Sequence, residues 1–207
     1  MKKIVIVLCL LAGFAAAGSA QESRQDISIS GMGLIAPFIA SSTDVQVHSN
    51  YALGALASYR FMLTPNSALE ANYGVTYQNS YTYLVANSLT VPILTRTQEI
   101  SAAFVRSFVF RKFNPFVEAG PAGLIFLPIR NSGTGTYDAK QQTSVGVLYG
   151  AGFAYEISPS FDIRAEYRAY ITKVPTFGLG SGNTTENLTT NKWFNIFVPT
   201  VGVAYHF

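Results

Sequence analysis

The chain ends in Thr200-Val201-Gly202-Val203-Ala204-Tyr205-His206-Phe207. Counting in twos from Phe207 gives Tyr205, Val203 and Val201, all apolar, while His206, Ala204, Gly202 and Thr200 between them are small or polar. A period of two with one apolar side is strand periodicity. Chain ends fray, so aromatic residues at the last and third-from-last positions need a partner surface that holds them. An ordinary buried last strand of a soluble sheet would carry the same alternation, and the rest of the chain has to separate the two readings.

The opposite end reads as an export signal. Lys2 and Lys3 supply its positive region, Ile4 to Ala17 its apolar region, and Gly18-Ser19-Ala20 a small-residue cleavage site before Gln21. Cleavage after Ala20 is expected, with Ala17 as the alternative. The apolar run falls short of the roughly 20 residues that a spanning helix needs. Cys9 lies inside that run and is the only cysteine, so the mature chain has no disulfide or thiol chemistry. Of 14 Lys+Arg and 11 Asp+Glu, removing Lys2 and Lys3 leaves 12 against 11, a net charge of +1. No basic patch points to nucleic acid.

Only 12% of residues are charged and 14% are aromatic. That is too apolar for a typical secreted soluble domain, yet no later run of about 18 apolar residues could form a spanning helix. An apolar exported chain without such a helix can satisfy its backbone in lipid as a closed sheet.

Turn residues divide the chain into hairpins. Leu63-Thr64-Pro65-Asn66-Ser67, Arg111-Lys112-Phe113-Asn114-Pro115 and Ser158-Pro159-Ser160 are the tight turns. Longer polar connections are expected at 37–50, 79–96, 127–142 and 173–192. Three short turns and four long loops connect eight strands, with the short turns and both termini at the same end.

Alternation is clearest at 161–172, where Phe161, Ile163, Ala165, Tyr167, Ala169 and Ile171 oppose Asp162, Arg164, Glu166, Arg168, Tyr170 and Thr172. The segments 53–61, 69–78 and 145–156 alternate in the same way, and Ile27 and Ile29 alternate with Ser28 and Ser30. Residue type decides which side faces lipid. The polar side carries glycine, serine and opposed charges suited to a cramped bore. The apolar side carries Tyr59, Phe61, Phe161, Tyr205 and Phe207 towards one end and Tyr77 and Trp193 towards the other, as interfacial aromatic girdles do. Two strands are less regular. In 98–109, turning Ile100, Ala102 and Phe104 outward leaves Arg106 facing lipid, to be resolved by snorkelling at the interface or by a bulge. In 116–126, Glu118 is placed inward because a carboxylate facing lipid is costly near mid-depth.

Thr200, Gly202, Tyr205 and Phe207 together resemble the C-terminal assembly signal of bacterial outer-membrane β-barrels, and Ile163-Arg164-Ala165-Glu166-Tyr167-Arg168 resembles the penultimate strand common in that family. The resemblance is to the small OmpA-like and OmpX-like barrels and covers essentially all of the mature chain. It implies an all-β, eight-stranded, antiparallel up-and-down transmembrane barrel over 21–207. It also implies outer-membrane lipid and the barrel-insertion machinery as partners, and a monomer. The chain stops at its last strand, without the periplasmic domain of full-length OmpA-like proteins, so cell-wall tethering is not implied.

One side-chain constellation is expected to carry function. Arg60, Arg164 and Arg168 stand inward against Glu70, Glu99, Glu118 and Glu166. An eight-stranded barrel is just wide enough for side chains to fill it, so these charges are expected to pair and plug the bore. A narrow porin-like path for small solutes is the alternative. A lipid A-modifying enzyme would need a nucleophile and base near the rim, and only His48, beside Ser49 with Asp44 nearby, and His206 offer a base. Asp44, Asp138 and Glu186 sit on separate loops and suggest no metal site, and no cofactor motif is present. The loops, rich in Ser, Thr, Asn and Gly, leave a surface ligand open. Their Asn-x-Thr matches at Asn183 and Asn187 read as loop polarity.

Overall fold

A computed structural model describes residues 24–40, 46–85, 89–129, 139–179, 190 and 192–207. The expected export signal with Cys9, and also Asp44, Asp138, Asn183, Glu186 and Asn187, lie outside the described residues. In chain order the strands are β1 (Gln25–Leu34), β2 (Ile39–Ala40), β3 (Gln46–Ser49), β4 (Ala52–Thr64), β5 (Ser67–Thr76), β6 (Asn79–Val85), β7 (Leu89–Ser107), β8 (Phe113–Pro128), β9 (Gln142–Ser158), β10 (Phe161–Lys173) and β11 (Trp193–His206). They form one sheet, and a β7–β8 pairing closes part of it into a ring. The ring is the expected antiparallel barrel of eight strands: β1, β4, β5, β7, β8, β9, β10 and β11.

The terminal octet makes the seam. β11 pairs with β1 from Asp26↔His206 to Met32↔Thr200, so the last strand meets the first. The aromatic ending is held on the outer wall, where the Tyr205 ring stacks on Phe207 at 6.0 Å and lies 5.1 Å from Phe161. Gly202 is required by close approach. A Cβ there would strike the carbonyl oxygen of Ile29 and the side chain of Ser30 on the neighbouring strand.

The ring is greasy outside and polar within. Ile29, Leu53, Val145 and Tyr167 are exposed on the outer wall, while Ser28, Arg60, Glu70, Asn72, Arg164 and Arg168 are buried in the bore. Ala169 shares the outward register yet is buried, and it sits between its cross-strand partners Tyr149 and Phe197. No bulge resets β7. The pairings Ser101↔Ala122 and Phe104↔Ala119 keep one register across Pro121, so Arg106 stays outward and exposed at the short-turn end. The three tight turns fall where expected, at Pro65-Asn66, Arg111-Lys112 and Pro159-Ser160.

Two of the expected long loops are largely sheet. β6 and the upper part of β7 pair from Asn79↔Thr95 to Val85↔Leu89, β3 pairs with β6, and β2 pairs with β3. Together they extend the wall beyond the ring at the long-loop end. The reason is local: aromatic and β-branched residues at Tyr81, Tyr83, Val91 and Ile93 favour strand more strongly than the intervening Ser and Thr favour loop. Tyr81, Tyr83 and Ile93 are buried.

Candidate functional site: the filled bore

Three arginines on two strands organise the lower bore. Arg60 and Glu70 are direct cross-strand partners on β4 and β5, and Arg60 Nε donates to Glu70 Oε2 at 2.7 Å. The Arg60 guanidinium also lies over the Phe116 ring, 4.8 Å from its centroid. Arg164 reaches past β11 to Asp26 on β1, with Nη2 donating to Oδ2 at 3.1 Å, and its Nη1 lies 3.8 Å from Glu70 Oε2. Arg168 reaches past β9 to β8, where Nε donates to Glu118 Oε1 at 2.9 Å. Its Nη2 donates to Glu99 Oε1 on β7 at 3.2 Å, and Glu166 Oε2 lies 3.9 Å from Nε. The seven expected charges therefore fall into two ion-pair groups, Arg60, Glu70 and Arg164 with Glu70 shared by the two arginines, and Arg168 with Glu99, Glu118 and Glu166; the Asn72 amide bridges them, between Glu70 and Arg168.

Neutral side chains complete them. Ser101 Oγ donates to Glu99 Oε1 at 2.8 Å. The amide of Asn72, oriented by its neighbours, donates to Glu70 Oε1 at 2.9 Å and Ser58 Oγ at 2.6 Å and accepts from Arg168 Nη2 at 3.1 Å. Thr200, part of the terminal quartet, points into the bore and donates to Glu166 Oε2 at 3.4 Å. Small residues make room for long ones: Gly150, across from Glu118 in the register, would place a Cβ 2.8 Å from Glu118 Oε1.

Asp26, Asp162 and His206 were absent from the expected constellation. His206 Nε2 lies 2.8 Å from Asp162 Oδ2, and its Nδ1 lies 3.9 Å from Asp26 Oδ2. Parity was the available signal, since Asp26 continues the Ser28–Ser30 side and Asp162 begins the Arg164–Arg168 side.

The upper bore is apolar, which departs from the expected polar interior. Leu34, Leu56, Leu124, Phe126, Leu148, Ile196 and Val198 are buried there. Residues 174–179, following β10, fold inward across the mouth. The Phe177 ring is fully buried and lies 6.0 Å from Tyr81, 6.3 Å from Tyr83 and 6.4 Å from Phe126. Gln142 Oε1 accepts from the backbone nitrogens of Thr176 at 2.7 Å and Phe177 at 2.9 Å, and the Tyr83 hydroxyl donates to the Pro175 carbonyl. Phe177 has φ of 51° and Gly178 of 75°. A bulky residue in the left-handed region persists only where its surroundings over-determine it. Burial pushes the Tyr81 and Tyr83 phenols above their ordinary range, so both rings of the seal stay neutral at physiological pH.

The two histidines sit apart. His48, on β3, packs on Phe38 with ring centroids 4.5 Å apart, and the Ser49 hydroxyl bonds to Asn79 Oδ1 at 2.9 Å. Among the described residues no group of three or more His, Cys, Asp or Glu is placed to hold a metal, and no helix is long and apolar enough to cross a membrane.

Several solved structures share this architecture. OprG of Pseudomonas aeruginosa, an outer membrane protein, aligns with a TM-score of 0.59 at 11% identity over 90% of this chain and 97% of that one. Neisserial surface protein A aligns with a TM-score of 0.55 at 17% identity over 89% of this chain and 98% of that one. Ail, the attachment invasion locus protein of Yersinia pestis, gives 0.50 at 14% over 90% and 100%. At these identities the likeness is one of fold. No curated protein sequence matches the chain. The family model for the outer membrane protein beta-barrel domain matches residues 6–207, and the chain belongs to that family.

Proposed function

We propose that this protein is a monomeric outer-membrane barrel with a sealed bore, exported by a signal removed at Ala20. Its role is structural or interactive and is exercised at the long-loop end, which faces out of the cell. One observation carries the reading: the bore is filled twice over. Arg164 and Arg168 are 1% and 0% exposed at one level, and Phe177 is 0% exposed at the other. A solute would have to displace both an ion-pair cluster and an aromatic seal. The placement of His48, on Phe38 and away from the engaged Ser49 hydroxyl, supports no catalytic role.

Planar-bilayer recording of the purified, folded chain tests this, with no discrete conductance expected. Regular conductance steps would replace the sealed reading with the narrow channel. That second reading has one observation in its favour: Arg164 Nε and Nη1, Arg168 Nη1, Glu99 Oε2 and Glu118 Oε2 are buried without hydrogen-bond partners. Such atoms are where internal water sits.

A further inference from the structure

The outer wall has a dent in its apolar surface. It spans β4, β5, β7 and β8 and is set by register. One row runs Tyr59↔Ala71↔Ala102, and the next row towards the short turns runs Phe61↔Leu69↔Phe104↔Ala119. Where the first row carries only the methyl groups of Ala71 and Ala102, the larger side chains around it leave a groove of about 470 Å³, edged on β8 by Gly120 and Pro121. On a wall that meets lipid, such a groove is filled by hydrocarbon.

A cation stands at its lower lip. Arg106 lies two residues beyond Phe104 on β7, which is about 7 Å along the strand. It is directly paired with Ser67, and its Nη1 donates to Ser67 Oγ at 2.7 Å. By register and exposure, the outward-facing charges on the described ring strands are Arg96, Arg106 and Lys173, and Arg96 and Lys173 sit at the long-loop end. Arg106 is therefore the one outward charge of those strands on the short-turn half, with Arg24, Arg111 and Lys112 exposed beyond the strand ends, and it has no carboxylate partner among the described residues.

We infer that this face binds one glycerophospholipid of the inner leaflet, an acyl chain lying in the Ala71–Ala102 groove and the phosphate on Arg106. The leaflet follows from the short-turn end facing the periplasm. Guanidinium–phosphate pairing supplies the polar half of the match and the groove the apolar half. Retention of lipid is thereby localised to four strands rather than spread around the wall.

Native mass spectrometry of the delipidated full chain in detergent, titrated with phosphatidylglycerol, tests it. The wild type should hold one lipid. Ala102→Phe, which fills the groove, and Arg106→Gln, which removes the cation, should each weaken binding about tenfold or more, a change of one decade in Kd. Arg96→Gln, at the other end of the same strand, should bind as the wild type does. Ala71→Phe serves as the groove variant if Ala102→Phe loses heat-modifiable migration. Equal occupancy in all variants overturns the inference, as does an equal loss in Arg96→Gln and Arg106→Gln. A second copy of the chain in place of lipid, abolished by filling the groove, overturns it as well.

Discussion

Arg168→Met is the substitution that distinguishes a dry plug from a wet bore. Arg168 is 0% exposed and holds Glu118 at 2.9 Å and Glu99 at 3.2 Å, with Glu166 at 3.9 Å. Methionine fills part of the volume but leaves those carboxylates facing one another without their cation. Removing one partner of a buried pair costs about 3–5 kcal/mol, whereas an ion pair bathed in water contributes about 0–1 kcal/mol. At about 1.4 kcal/mol per decade, the dry reading predicts a fall in the folding equilibrium of two to three and a half decades. Trp193, the only tryptophan in the chain, sits exposed at the long-loop end of β11. Its fluorescence in lipid vesicles titrated with urea therefore reports unfolding of the closing strand. The companion variant Arg168→Met with Glu118→Gln removes one stranded charge and should recover part of the loss. A single-variant cost below about 1 kcal/mol, the range of a solvated pair, would refute the dry-plug reasoning. So would a double variant no more stable than the single.

Four further outcomes follow from the same geometry. Tyr167→Arg, on the outer wall near mid-strand and stacked on Phe197 at 5.9 Å, should cost about 2–4 kcal/mol in vesicles, and Phe161→Arg beside the short turn only about 0–1; equal costs would deny that this wall meets lipid. Gly202→Val places carbon against Ile29 and Ser30 on β1, so the seam must yield by about 1–3 kcal/mol or more, read as less heat-modifiable folded form after refolding. Phe177→Ala should cost the mouth about 3–5 kcal/mol of packing and expose 174–179 to protease, while planar bilayers stay silent because the arginine layer remains. In a chain freed of Cys9, Gln46→Cys should react with a water-soluble maleimide in vesicles, and Val147→Cys should not.

The alternation of β10 was enough to place every one of its side chains inside or outside the ring, because a period of two leaves no third option. Parity also reached Arg60, Glu70 and Glu99, while Glu118 was placed by the cost of turning a carboxylate to lipid. The pairings themselves were not legible. Arg60–Glu70 is a cross-strand neighbour, but Arg164–Asp26 and Arg168–Glu118 each skip a strand, and such reach depends on barrel tilt and stagger rather than on any local pattern. The seal at Phe177 was hidden for a different reason. Its segment has no periodicity, and its left-handed backbone is imposed by Gln142, Tyr81 and Tyr83, which are distant in sequence. The extended hairpin at 79–96 was obscured by its Ser and Thr, which read as loop when their faces are not separated.

Those faces, once separated, show that the barrel reverses its polarity along its own axis. Along the ring, Ile29, Val147, Tyr167 and Val203 point out and Ser30, Glu118, Arg168 and Thr200 point in. In the extension, Gln46, His48, Ser80 and Thr82 take the outward register together with Leu84, Pro92 and Leu94, while Val47, Tyr81, Tyr83 and Ile93 are buried within. A sheet wetted on its outside must find its apolar contacts inside, whereas a sheet bathed in hydrocarbon already has them and can spend its interior on hydrogen-bonded polar groups. The apolar filling of the extension answers its wetted outside, but it begins lower, where Leu56, Leu124 and Leu148 are buried in the ring behind the outward Val145 and Val147. Tyr77 and Trp193, both exposed at the long-loop end of the ring, are the aromatic residues that an interface favours.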